Sequence, residues 1–148
     1  MSEANKDLIR RYQEAYNSNE LDVLDDILAP DWFTNNWPRD LMEQSVENAK
    51  ALHGMRLEGF PDLKTTTECL IAEGDWVVQR LTERGTHKGD VLGLGPTGNV
   101  VESGAVSMFR IVDGRIVEHW AFQDNLPFFE QCGAEFPPEW SAFAHRAS

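Results

Sequence analysis

The chain has 148 residues, 41% hydrophobic and 26% charged, with 13 Lys and Arg against 25 Asp and Glu for a net charge of −12. That length implies one domain, residues 1–148, able to bury roughly 70% of its unfolded-chain surface without metal or disulfide. So acidic a surface repels phosphate backbones and anionic lipid, which argues against nucleic-acid and membrane partners.

The opening stretch MSEANKDLIRRYQEAY has neither an apolar signal core nor a small-residue cleavage site. No segment approaches the ~20 apolar residues that cross a bilayer. Cys69 and Cys132 lack metal-ligand spacing and read as buried free thiols. Together these features point to the cytoplasm.

Leu8, Ile9, Tyr12, Ala15 and Tyr16 recur at helical spacing, with Arg10, Arg11, Gln13 and Glu14 opposite. NSNE breaks this helix. Leu21, Leu24, Ile27 and Leu28 form a second, short one that Pro30 ends. A third is expected over about 39–53, with Leu41, Met42, Ser45, Val46, Ala49 and Leu52 inward and Gly54 as its stop. Between the second and third, DWFTNNWPRD offers Trp32, Phe33, Asn36 and Trp37 either as a pocket rim touching a flat ligand or as ordinary core.

The second half reads as strands. LKTTTECLIA and DWVVQRLTERGTH flank a turn at Glu73-Gly74, and KGDVLGLGPTG is a glycine-rich loop. The loop lacks Gly-Lys-Ser/Thr and opens no helix, so it is a wide turn rather than a phosphate cradle. NVVESGAVSMFRIV and RIVEHWAFQ flank Asp113-Gly114, a strong hairpin signal. NLPFFEQCGA closes as a short helix. The tail 134–148 is expected to be irregular, tacked to the body by Trp140 and Phe143. Helices followed by antiparallel hairpins give an α+β fold, a curved antiparallel sheet forming a cone with helices across its mouth. The interior of a cone is a natural ligand cavity.

GTHKGDVLGLGPTGNVV followed by FRIVDGRIVEHW, with FPDLKTTTECLIAEGDWVVQRLT before them, resembles the SnoaL-like polyketide cyclases of the nuclear-transport-factor-2-like superfamily. The resemblance spans about 7–133. It implies the α+β cone with an internal pocket, and a homodimer or larger homo-oligomer. It also implies ring closure by intramolecular aldol chemistry, with no cofactor and no metal. The family's acid/base is an aspartate two residues after a histidine on the last long strand. Here the histidine is His119, and the aspartate position holds Ala121. The family's glutamine and histidine on the preceding strand match Ala105 and Ser107.

Alternation puts Val117, His119, Ala121 and Gln123 on one face, and Trp120, Phe122 and Asp124 on the other. A two-residue loop at Asp113-Gly114 would set Ser107 opposite Trp120. A three-residue loop with a glycine bulge would set Ser107 opposite Ala121 and Phe109 opposite His119. The second register agrees with the family's layout and is the expectation. The pocket would then be lined by Ala105, Ser107, Phe109, His119, Ala121 and Gln123.

His119 is the candidate general base for a carbon acid, with Gln123 or Ser107 bonding an enolate oxygen; the alternative is a hydrogen-bonded cavity histidine. Asp124 either substitutes for the missing acid or sits at the start of the last helix, where Asn125 is the better cap. His87 reads as a loop fastener and His53 as a residue at a helix C-terminus. Arg80 is expected to pair with Glu68. The four histidines lack zinc-pair spacing, and Ser103 and Ser107 are separated in sequence from every histidine, so a triad has no local support. Two functions stand side by side: a cofactor-free cyclase or isomerase acting on a small apolar carbonyl compound, and a non-catalytic protein that binds a small hydrophobic ligand.

Overall fold

The structure, a computed structural model, describes residues 2–35 and 44–140. Helix α1 (Ser2–Asn17) turns Leu8, Ile9 and Ala15 into the core. Its end is pinned to the sheet by Asn17, whose Nδ2 donates to the Thr65 carbonyl at 2.8 Å while its Oδ1 accepts from the Thr65 amide at 2.9 Å. A 3-10 turn (Leu21–Val23) leads into the single-turn helix α2 (Leu24–Ile27).

The second helix does stop before Pro30, but the chain then continues as strand β1 (Leu28–Thr34), an element absent from the sequence reading. It runs parallel to β5 (Arg115–Gln123), with Leu28 opposite Ile116 and Thr34 opposite His119. Pro30 falls in the interval where the ladder is interrupted, on an edge strand, where its missing amide removes no ladder bond.

Helix α3 (Val46–Gly59) is capped by Ser45, whose side chain accepts from the Asn48 amide at 3.1 Å. It starts later and runs further than expected. Ser45 is its cap rather than an inward residue, and Gly54 lies within the helix, exposed, without ending it. Leu41 and Met42 lie outside the described residues.

Strands β2 (Lys64–Glu73), β3 (Trp76–Thr86), β4 (Val100–Val112) and β5 form antiparallel neighbours in the order β1-β5-β4-β3-β2. The sheet is therefore mixed and open rather than wholly antiparallel, with the parallel β1 at one edge. The β2–β3 loop is Gly74-Asp75, one residue later than expected, because Glu73 still pairs with Trp76. On the outer face Arg80 is exposed, and Glu68 accepts from Thr82 Oγ1 at 2.9 Å instead of pairing with it.

The β4–β5 hairpin has the expected register by a different device. Val112 pairs with Arg115 across a two-residue turn in which Asp113 and Gly114 both take positive φ (51° and 74°), the geometry that suits the twist of a hairpin. Ile111 then faces Ile116, but Arg110 faces Glu118, so Val117 is one residue too many for its partner strand. That bulge lies inside β5 and not in the loop. Beyond it Phe109 faces His119, Ser107 faces Ala121 and Ala105 faces Gln123. Ile116, paired with Ile111 and fully buried, takes the inward place expected of Val117.

Helix α4 (Asn125–Gln131) follows, with Asp124 rather than Asn125 at its boundary and no side-chain cap bond. Pro127 is its third residue, still among those whose amides have no partner within the helix. In the tail Phe136 stacks on Trp140 at 6.5 Å, but Trp140 is exposed and does not tie the tail to the body. Phe143 lies outside the described residues.

The main core joins Ile9, Leu24, Ile27 and Leu28 to Val77, Phe109, Ile111 and Ile116 on the sheet's inner face. Each such fully buried side chain contributes about 1.5–3 kcal/mol relative to exposure. None of the described helices is long and apolar enough to cross a membrane.

Candidate ligand cavity

A cavity of about 410 Å³ lies between the inner face of the sheet and helices α1 and α3. Its floor is Ala105, Ser107, His119, Ala121 and Gln123. Each is on β4 or β5 and is brought inward by alternation and by the register that the Val117 bulge sets. Tyr12 and Tyr16 come from α1, Trp32 and Thr34 from β1, His53 and Arg56 from α3, and Gln79 and Leu81 from β3.

The central group is His119. Its Nε2 lies 3.2 Å from Ser107 Oγ, and its ring stacks on Phe109 at a centroid distance of 4.7 Å and an interplanar angle of 8°. Burial penalises the imidazolium and lowers its pKa from 6.5 to about 4. The ring is therefore neutral at pH 7, with one nitrogen able to accept a proton. Two side chains that are far from each other in sequence, and so gave no triad signal, form a serine–histidine pair because strands β4 and β5 place them diagonally across one face.

Five of the expected pocket residues line the cavity: Ala105, Ser107, His119, Ala121 and Gln123. Phe109 does not. It is fully buried beneath the His119 ring and shapes the floor from behind. Asp124 is exposed and off the lining, because β5 ends at Gln123 without reversing its alternation. Asn36 and Trp37 lie outside the described residues. Gln123 is itself engaged, its Nε2 donating to Ser103 Oγ at 2.9 Å.

The lining is more polar than expected. Gln79, buried mid-strand, donates from Nε2 to Gln13 Oε1 (3.1 Å) and Thr67 Oγ1 (2.8 Å). Arg56 and Glu83 pair at 2.5 Å on the wall. The apolar space lies next door, in a chamber of about 240 Å³ with Met55, Phe60, Val101 and Phe128 in its wall. Leu52, Arg56, Leu63, Glu83 and Gln123 line both spaces.

Sequence reasoning missed His53, Arg56, Gln79 and the role of the two tyrosines. Signals existed. His53 follows Ala49 by four and Arg56 follows His53 by three, which continues the inward stripe of α3. Gln79 interrupts the inward row Val77-Gln79-Leu81 with a polar group. Tyr12 and Tyr16 share a helix face and pack at 4.9 Å. Burial raises both phenol pKa values, Tyr12 well above 10.0, so both stay protonated.

The glycine-rich loop is separate from this chemistry. His87, fully buried, holds Thr97 Oγ1 through Nδ1 at 3.0 Å, and its backbone bonds Asn99 and Gly98 across the loop's two ends. Among the described residues no three His, Cys, Asp or Glu side chains gather in a way that could hold a metal ion.

Three comparisons bear on this geometry. The chain is 28% identical to aklanonic acid methyl ester cyclase AcmA of Streptomyces galilaeus over 137 residues, covering 87% of this chain and 90% of the relative. It is 30% identical to nogalonic acid methyl ester cyclase of Streptomyces nogalater over 129 residues, covering 84% and 94%. The solved structure of TsrD from Streptomyces laurentii superposes with a TM-score of 0.82 at 29% identity, covering 91% of this chain and 98% of that one. The profile of the SnoaL-like polyketide cyclases matches residues 6–132, and the chain belongs to that family.

Proposed function

We propose that the protein is a cofactor-independent enzyme that closes or isomerises a ring in a polyketide-like carbonyl compound by proton transfer. The observation that carries this is His119, neutral at pH 7 and hydrogen-bonded to Ser107 on the floor of the cavity. The imidazole takes the α-proton of a substrate carbon flanked by carbonyls, that carbon attacks a further carbonyl of the same molecule, and the alkoxide so formed takes the proton back from the imidazolium. A pKa of about 4 reflects the cost of burying an isolated imidazolium away from water. During the reaction the imidazolium forms beside the enolate, and that opposite charge offsets the cost. The Ser107 hydroxyl bonds the enolate oxygen or relays the proton. Asp124 has no place in this scheme, because it is exposed.

A second reading has its own support. Ala121 stands where the family's acid would stand, and a base with so low a pKa is weak. On this reading the cavity binds a small carbonyl ligand without converting it.

Aklanonic acid methyl ester and nogalonic acid methyl ester, the compounds after which the two relatives are named, serve as probe substrates. On the catalytic reading one of them is turned over, and His119→Gln lowers kcat/KM by about 10²-fold or more. Ala121→Asp, which restores a carboxylate two residues beyond the base, raises it. A melting shift with either compound and no conversion by wild type or Ala121→Asp favours the binding reading. Unchanged kcat/KM in His119→Gln removes the assigned base.

We also propose that two copies associate through the outer face of the sheet. Ile71, Val106, Trp120 and Phe122 are exposed there, and Val106 pairs with Phe122 across β4 and β5. The acidic chain leaves this face as an apolar strip, which a second identical strip would cover.

A further inference from the structure

His53 sits on α3 with only 4% of its surface exposed, yet it lines the cavity. Neither ring nitrogen has a hydrogen-bond partner among the described residues. The Tyr16 backbone lies near enough to favour the charged ring, but not in hydrogen-bonding geometry. Among the described residues its close ring neighbour is the Tyr16 side chain, edge-on at 4.9 Å. An imidazole buried in this way forfeits its bonds to water, which is costly unless something replaces them. Burial, then the nearby Arg56 guanidinium, lowers its pKa below 6.5, so at pH 7 it carries one N–H donor and one bare acceptor.

His53 is also placed with respect to His119. An aromatic row runs from His53 to Tyr16 (4.9 Å), to Tyr12 (4.9 Å) and on to His119 (6.4 Å). The two imidazoles thus stand at opposite ends of the row, with two phenol rings between them, each set edge-on to its neighbours. A ligand lying along that row meets an imidazole at each end.

We infer that His53 is a second binding pole of the cavity. It hydrogen-bonds a hydroxyl or carbonyl oxygen of a flat, polycyclic ligand whose other polar end lies at Ser107 and His119. This rests on the reading of the cavity as the ligand site. The pole selects ligands with two oxygen functions at opposite ends over ligands with one, because a ligand with one leaves His53 unsatisfied.

The test is a binding titration of the intact protein at pH 7 with two probes, 2-hydroxyanthraquinone and 2,6-dihydroxyanthraquinone. Wild type is expected to bind the dihydroxy probe about tenfold more tightly. In His53→Phe and His53→Leu the two probes should bind within about twofold of each other, and His53→Gln should recover part of the difference. Melting of the free protein gives an independent readout: His53→Leu holds or raises Tm, since it removes an unsatisfied buried polar group. An equal preference for the dihydroxy probe in wild type and His53→Leu overturns the assignment and leaves His53 to an ordered water. A His53→Leu protein that melts well below wild type also overturns it, by showing a structural role. Binding of both probes that weakens in His119→Gln but shows no wild-type preference overturns the His53 pole alone. Failure of both probes to bind overturns the cavity reading and this inference together.

Discussion

Residue by residue, the chemistry of this protein depends on which polar groups are buried without charge. His119 is the clearest case. In the unfolded chain it protonates near 6.5, and in the fold only near 4. Between those values the unfolded state binds the extra proton, so stability is complete above about pH 6.5 and declines as pH falls toward 4. The shift corresponds to up to about 3 kcal/mol from this one ring. Chemical denaturation of wild type and His119→Gln across pH 4–7 checks it. The stability gap should change in the variant's favour on acidification, and parallel curves would contradict the assigned burial effect. The same displacement predicts that kcat/KM, if the protein turns over a substrate, keeps its value through pH 6 and falls only near pH 4–5.

At the scale of elements, two devices position the site. One is the bulge at Val117, which shifts β5 against β4 by one residue and thereby puts His119 and Ala121 on the inner face. The other is the close docking of the glycine-rich loop on the end of α3. The Lys88 and Gly89 amides both donate to the Gly59 carbonyl, at 2.9 and 3.1 Å. A Cβ on Gly89 would lie 2.0 Å from the Glu58 carbonyl oxygen, which no side chain tolerates. Gly89→Ala is therefore expected to cost about 2 kcal/mol or more, a fall of roughly 6 °C in Tm for a chain of this size. Because α3 carries His53 and Arg56, the same change should also weaken ligand binding. Calorimetry and titration on one preparation test both effects, and a Tm within about 1 °C of wild type would show that the loop is not docked as described.

At the scale of the whole molecule, the described helices cover the inner face of the open sheet, and none of them covers the outer face. Phe122 is 59% exposed beside Val106 at one end of an apolar strip, and exposed strips of this kind mark association surfaces. Sedimentation at micromolar concentrations should give twice the mass of a 16.8 kDa chain. Phe122→Lys should return it to a monomer without loss of the fold, because the residue carries no core contact. A wild-type monomer under the same conditions would remove the proposed dimer.

The sequence by itself determined whatever depends on neighbours along the chain. The face of α1 that carries Tyr12 and Tyr16, the end of the second helix before Pro30, the Asp113-Gly114 hairpin and the shared face of His119, Ala121 and Gln123 were all legible, because helical and strand periodicities and turn residues act locally. The register that sets this face inward beside Ala105 and Ser107 was expected from the family resemblance and not from any local pattern. The motifs that resemble the SnoaL-like cyclases pointed to the same fold. Only the tertiary structure decided the features that arise when distant segments meet. β1 becomes a strand because β5 offers it a parallel edge, which no local pattern announces. His53 is expected at a helix end, but α3 runs five residues beyond Gly54 and carries it into the cavity wall. The Ser107–His119 bond requires a register fixed by a bulge rather than by the turn. The depressed basicity of His119 comes from the sum of everything packed around it, and burial of that kind exists only once the chain has folded.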